Sequence, residues 1–115
     1  NFGLKYDCNH FVPYSSNIDL KPWDHWDGKL IKIPYSWEDD VHCVYGWDWH
    51  TDFLNNRNIK VFDFHPIHIF LNTEHLDRYE KSREFHGSLE KLSAYVYDGY
   101  GTYNFLIDLI NKGIK

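Results

Sequence analysis

Ile59-Lys60-Val61-Phe62-Asp63-Phe64-His65-Pro66-Ile67-His68 is the stretch on which the fold turns. Ile59-Lys60-Val61 and Phe62-Asp63-Phe64 each alternate apolar with polar side chains, the period of a strand with one buried face, and Asn55-Asn56-Arg57-Asn58 before them is a polar turn. After His65-Pro66, the run Ile67-His68-Ile69-Phe70-Leu71 is expected to extend the strand or to form a loop, closed by Asn72-Thr73-Glu74.

Outward from this stretch, Lys29-Leu30-Ile31-Lys32-Ile33 is a second predicted strand, stopped by Pro34, which cannot donate to a ladder. Leu4-Lys5-Tyr6-Asp7 is a short strand in an otherwise irregular, aromatic segment broken by Pro13, Pro22 and Gly28. A short helix is expected over residues 45–55, and residues 73–92 are helix-compatible but weakly periodic. The last segment is a predicted helix: Thr102 stands as N-cap, Phe105, Leu106, Leu109 and Ile110 form one stripe, and Gly113 follows as the C′ residue. Strand, helix, strand and terminal helix make an α/β pattern, in which ligands bind at the loops beyond the carboxyl ends of strands.

The composition narrows the class. At 115 residues the chain is expected to be one domain or a fragment of one, and its 43% hydrophobic and 25% charged residues are those of a folded protein. A formal charge of −5 argues against nucleic acid and anionic membranes, which draw on clustered Lys and Arg. No run approaches the roughly 20 apolar residues of a membrane helix, and the start lacks a signal peptide, so a soluble, cytoplasmic protein is expected. The chain contains no Met, which raises the expectation of a fragment. Cys8 and Cys43 fit no metal knuckle or redox spacing and read as free thiols, with a single disulfide as the alternative.

Chemistry-bearing residues gather after both predicted strands. Past Ile33 comes Pro34-Tyr35-Ser36-Trp37-Glu38-Asp39-Asp40-Val41-His42. Carboxylates beside an apolar ring can hold a metal, orient a histidine or accept sugar hydroxyls, with Trp37 as a stacking face; equally, Glu38-Asp39-Asp40 is a solvated turn or a helix start. Past Phe64, the imidazoles of His65 and His68 suit acid–base work near neutral pH, and Pro66 fixes where His65 points. His68, between Ile67 and Ile69, reads more readily as a core-edge histidine. A self-contained zinc site from Asp40, His42, His65 and His68 is a minor alternative. Trp47-Asp48-Trp49-His50-Thr51-Asp52 and Trp23-Asp24-His25-Trp26-Asp27 alternate rings with acids: sugar-cleft linings, or, for residues 47–52, a helix burying its Trp face. Gly99-Tyr100-Gly101-Thr102 is a plain helix entry. No nucleophile elbow, phosphate loop or dinucleotide fingerprint is present.

In their order, Leu4-Lys5-Tyr6-Asp7, Ile33 to Asp40, Phe64-His65-Pro66-Ile67-His68 and Gly101 to Leu109 resemble the polysaccharide deacetylase-like family, of the carbohydrate esterase family four type. The more particular likeness is to members linked with bacterial surface polysaccharides. The resemblance implies the C-terminal half of a distorted parallel β/α barrel and removal of N-acetyl groups from a sugar substrate. It also implies a divalent metal, expected to be zinc, held in the complete domain by an Asp and two His of N-terminal motifs, none of which is found here. His65 is similar to the family's general acid, which protonates the departing amine. Trp37, Glu38, Asp39, Asp40 and His68 resemble substrate-groove residues. Phe62-Asp63-Phe64-His65-Pro66 departs from the Leu-x-His of typical members. A half barrel is expected to pair its exposed edges with a second copy or with the missing half. From another class, a noncatalytic carbohydrate-binding module fits the same aromatic and acidic composition.

Overall fold

The computed structural model of the chain describes residues 3–13, 16, 18, 21–25, 30–51 and 61–113. The turn at 55–58, the predicted strand's residues 59–60 and the residues Lys29, Trp26 and Asp27 lie outside that set. Two compact units divide the chain: residues 1–38 with 52–63, and residues 39–51 with 64–115.

In the first unit, β1 (Tyr6–Asp7) and β3 (Leu30–Lys32) pair in parallel, with β2 (Trp23–His25) antiparallel on the other side of β3. Lys32 is buried because Asp7 neutralises it: Lys32 Nζ donates to Asp7 Oδ2 at 2.6 Å, which holds that carboxyl below the usual range. A second, parallel pair joins β4 (Trp37–Glu38) to β5 (Phe62–Asp63), in the register Trp37 to Phe62 and Glu38 to Asp63. The architecture is mixed α/β.

The second unit is helical. α1 (Asp39–Tyr45) starts on two acids, which suit the positive end of a helix. It stops where Gly46 turns left-handed at φ +60 and the Trp47 N–H returns to the His42 carbonyl at 3.2 Å, the bond of a Schellman cap. The helix expected over 45–55 is therefore corrected to 39–45. Residues 47–51 are irregular, and Trp47 and Trp49 are half-buried while Asp48 and His50 are exposed. Rings in and polar groups out come here from irregular backbone, not from a helix face.

The run Ile67–Leu71 is likewise corrected from strand or loop to α2 (Pro66–Leu71). A short apolar run does not distinguish the two periods, and the decision is local: Pro66 sits in the first helical turn, where its missing N–H costs nothing. His65 before it is extended, at φ −98 and ψ 131. His68 and Leu71, one turn apart, are the buried residues.

α3 (Leu76–Ser82), a 3₁₀ turn at Arg83–Phe85, α4 (Leu89–Leu92) and a further 3₁₀ turn at Ser93–Tyr95 fill the weakly periodic region. α5 (Thr102–Gly113) closes the described chain; of the predicted stripe Phe105 and Leu109 are buried, whereas Leu106 is half-buried and Ile110 exposed, so the buried face is narrower than expected. Thr102 is not its N-cap but its first residue, and the fully buried hydroxyl donates to the Thr73 carbonyl at 2.7 Å. The cap comes from Asn72, whose Oδ1 accepts the Tyr103 N–H at 2.9 Å. Leu71, Leu92, Phe105, Leu109 and Cys43 form this unit's buried apolar set.

Candidate functional site

Asp39 and Asp40 open α1, and His65 and His68 flank the start of α2; the second unit brings these four together. Asp39 is fully buried and its carboxylate is spent on three donors. Oδ2 accepts the His65 backbone N–H at 2.7 Å, Oδ1 accepts the Asp40 N–H at 2.8 Å, and Oδ1 lies 2.6 Å from His65 Nδ1. Burial pushes the Asp39 carboxyl up, and the two contacts from His65 pull against it. Holding both the backbone and the ring of His65, one carboxylate fixes the imidazole's position and orientation. Nδ1 is committed, so the ring would act through Nε2. The His65 side chain is 40% exposed, while Asp39 behind it is closed off.

Asp40 faces the other way, with a side chain 43% exposed. Its Oδ1 lies 2.5 Å from Nε2 of the buried His68, and its Oδ2 lies 3.7 Å from His65 Nδ1. His68 Nδ1 in turn lies 3.0 Å from the Thr73 hydroxyl. The two imidazoles stand nearly perpendicular, at 86° with centroids 6.0 Å apart. The arrangement is two carboxylate–imidazole pairs, each joining one buried and one part-exposed side chain.

Several expected residues lie elsewhere. Trp37 is fully buried in the first unit, edge-on to Phe62 at 6.2 Å, so its ring serves packing and has no face open to a sugar. Glu38, half-buried in the same unit, is next to Tyr35, whose hydroxyl is pushed up first by burial and then by Glu38. Asp39 and His68, expected to line a substrate groove, are instead buried, in contact with His65 and Asp40 respectively. Among the described residues His42 joins no group able to hold a metal: it stacks on Trp49 at 3.9 Å, inside an aromatic set with Trp47 and Phe105. Cys8 and Cys43 are both free thiols, one exposed and one buried. Sequence reasoning missed Thr73 and Thr102 as supports of the site. The only signal was the polar Asn72-Thr73 pair ending an apolar run, which reads as an ordinary turn.

Asp39, Asp40 and His68 bring donor atoms within 4.8 Å of one another, a grouping able to hold a metal ion. The fit is incomplete: Asp39 already takes three donors, and both His68 nitrogens are engaged. Asp40 and His68 would supply two ligands, short of the three protein ligands of a catalytic zinc.

The model of the WbmS-like polysaccharide deacetylases matches residues 1–83. A crystal structure of a "putative polysaccharide deacetylase involved in O-antigen biosynthesis" from Bordetella bronchiseptica is similar at 43% identity with a TM-score of 0.85. The match covers 94% of this chain and 46% of that one, so the chain spans about half the length of that protein. No curated protein matches the chain.

Proposed function

Since the chain belongs to the WbmS-like polysaccharide deacetylase family, we propose that it carries part of the active site of a hydrolase that removes N-acetyl groups from a polysaccharide, with His65 as general acid. The observation that carries this reading is the double hold of Asp39 on His65, at 2.6 and 2.7 Å.

In amide hydrolysis water adds to the acetyl carbonyl, the C–N bond breaks, and the nitrogen must take a proton as it leaves. His65 supplies that proton from Nε2, while Asp39 keeps Nδ1 protonated and stabilises the positive charge the ring bears beforehand. Asp40 remains the exposed carboxylate beside it and faces the sugar. The divalent metal of such enzymes would polarise the carbonyl and activate the water. The Asp39, Asp40 and His68 group of the second unit does not complete its site, and no step is routed through it. The half-barrel architecture belongs to the same proposal and is supported by the likeness to the Bordetella protein.

The test is acetate release from N-acetylated oligosaccharides by the complete deacetylase domain that carries these residues and by its His65→Ala variant; these residues alone are expected to release little or no acetate. The variant is expected to lose about 10²- to 10⁴-fold in turnover while still binding the oligosaccharide. Binding without turnover in both proteins is the outcome of a noncatalytic carbohydrate-binding module and would overturn the proposal.

A further inference from the structure

The aromatic residues around the C-terminal end of α1 take no part in the chemistry proposed above. Tyr45, the last residue of α1, is 69% exposed, and Val44 before it is exposed as well. The ring is in water, yet it is not loose. It lies almost parallel to the indole of Trp47, at 17° with centroids 5.7 Å apart, and Trp47 meets His42 edge-on at 5.8 Å. His42 stacks on Trp49, and both rings pack against the buried Phe105. The left-handed turn at Gly46 and the bond from the Trp47 N–H to the His42 carbonyl bring Tyr45 and Trp47 together. Tyr45 is thus the outer end of an aromatic column rooted in the core, with one face on Trp47 and the other toward solvent. A ring held in this way loses little freedom when a flat ligand covers it.

The helix joins this ring to the site. α1 buries Asp39, His42 and Cys43, leaves Asp40 and Val41 half-buried, and exposes Val44 and Tyr45, so its open face runs one turn on from Asp40 to Val44 and from Val41 to Tyr45. That face starts at the helix end where Asp39 holds His65. Tyr45 stands six residues beyond Asp39, which at about 1.5 Å per residue is about 9 Å along the axis. A ligand that reaches both ends is longer than a single sugar and is matched by a short oligosaccharide. The size of the patch selects the same class. Val44, Tyr45 and the half-buried Trp47 offer a few hundred Å² at most, where a stable protein partner covers about 800 Å². One pyranose covers one aromatic ring with its C–H face, and its hydroxyls are left for polar neighbours such as the exposed Asp48 and His50. The formal charge of −5 favours a neutral polymer over an acidic one.

Resting on the deacetylase reading above, we infer that Tyr45, backed by Trp47, is a distal sugar subsite: it stacks on a pyranose of the same neutral polysaccharide whose N-acetyl group is presented to His65. Its role is binding, not catalysis. It makes the enzyme favour a polymer over the free monosaccharide, because only a chain of several sugars spans α1.

The test is calorimetric titration of the complete deacetylase domain, in its His65→Ala form so that the ligand stays intact. Tetra-N-acetylchitotetraose is the neutral polymer probe and N-acetylglucosamine the single sugar. Adding Tyr45→Ala is expected to weaken tetrasaccharide binding about five- to tenfold and to leave the single sugar unchanged. Tyr45→Phe and Tyr45→Trp are expected to keep the affinity, a rescue by the ring that loss of folding would not give. With His65 in place, Tyr45→Ala is expected to raise KM for the tetrasaccharide at unchanged kcat. Tetrasaccharide affinity that does not respond to Tyr45→Ala, or no tetrasaccharide binding at all, overturns the inference. An equal loss for both sugars places the ring at the reacting sugar and overturns the distal position. These titrations read binding without turnover, so their failure is separate from failure of the acetate-release test of deacetylation.

Discussion

His42 shows what burial does to a single residue of this chain. Stacked on Trp49 and 2% exposed, it is taken into the fold as neutral imidazole, and burial pushes it down to about 4. The unfolded chain protonates it near its ordinary 6.5, so between those values the unfolded state binds more protons than the folded one. Stability from this residue is complete above pH 6.5 and declines as pH falls toward 4, by about 3 kcal/mol in all. Urea midpoints at pH 7 and pH 4.5 are expected to differ clearly in the natural protein and less in His42→Phe; parallel slopes would assign the loss to other groups. Asp39 is the second residue with a single dominant job. Asp39→Asn removes the charge that faces His65 Nδ1 and can present an N–H in its place. Turnover is expected to drop by about 10²- to 10⁴-fold in acetate-release assays, with sugar binding little changed.

Among the elements, the turn between α2 and α3 ties the helical unit together, and Asn72 is its centre. It adopts the left-handed conformation at φ 51; its Nδ2, with two hydrogens, is shared among the Tyr97 and Gly99 carbonyls and Asn104 Oδ1, and its Oδ1 accepts the Tyr103 N–H. Asn72→Gly keeps the backbone freedom and loses the bonds, while Asn72→Ala loses both. Both are expected to destabilise by a few kcal/mol, with the alanine variant about 1 kcal/mol the worse in denaturant melts. Gly101 is constrained from the same side, because a Cβ there would stand 2.1 Å from the Asn72 carbonyl oxygen, a backbone atom. Gly101→Ala is expected to cost about 3 kcal/mol by the same measurement. These bonds also explain why the sequence suggests the wrong cap for α5. Thr102 has the composition of an N-cap, but its hydroxyl is needed at the Thr73 carbonyl, and Asn72, 30 positions earlier, takes over the capping.

Over the whole molecule, the two cysteines report on opening. Cys43 is fully buried, its thiol is pushed up to about 12, and its Sγ lies 3.9 Å from the Thr73 carbonyl, whereas Cys8 is exposed. Native alkylation followed by mass spectrometry is expected to label Cys8 alone, with Cys43 reacting only as denaturant opens the helical unit. The terminal helix, the strands around Ile31 and Phe62, the mixed α/β class and the family likeness were legible in the sequence, because each rests on local period, on punctuation by proline and glycine, or on a linear motif. So was the neighbourhood of the site, since both clusters follow strand-forming runs. What could not be read was which side chains turn inward. Trp37 looked like a sugar platform and is core; Asp39 looked like a substrate ligand and is the buried support of His65; Thr73 looked like a turn residue and anchors His68. The sequence by itself determined the elements and the inventory of acids and imidazoles, through periodicity and residue chemistry. Only the tertiary structure decided the pairing of Asp39 with His65 and of Asp40 with His68, because each bond joins positions 26 or 28 residues apart, and no local pattern encodes a contact made by packing.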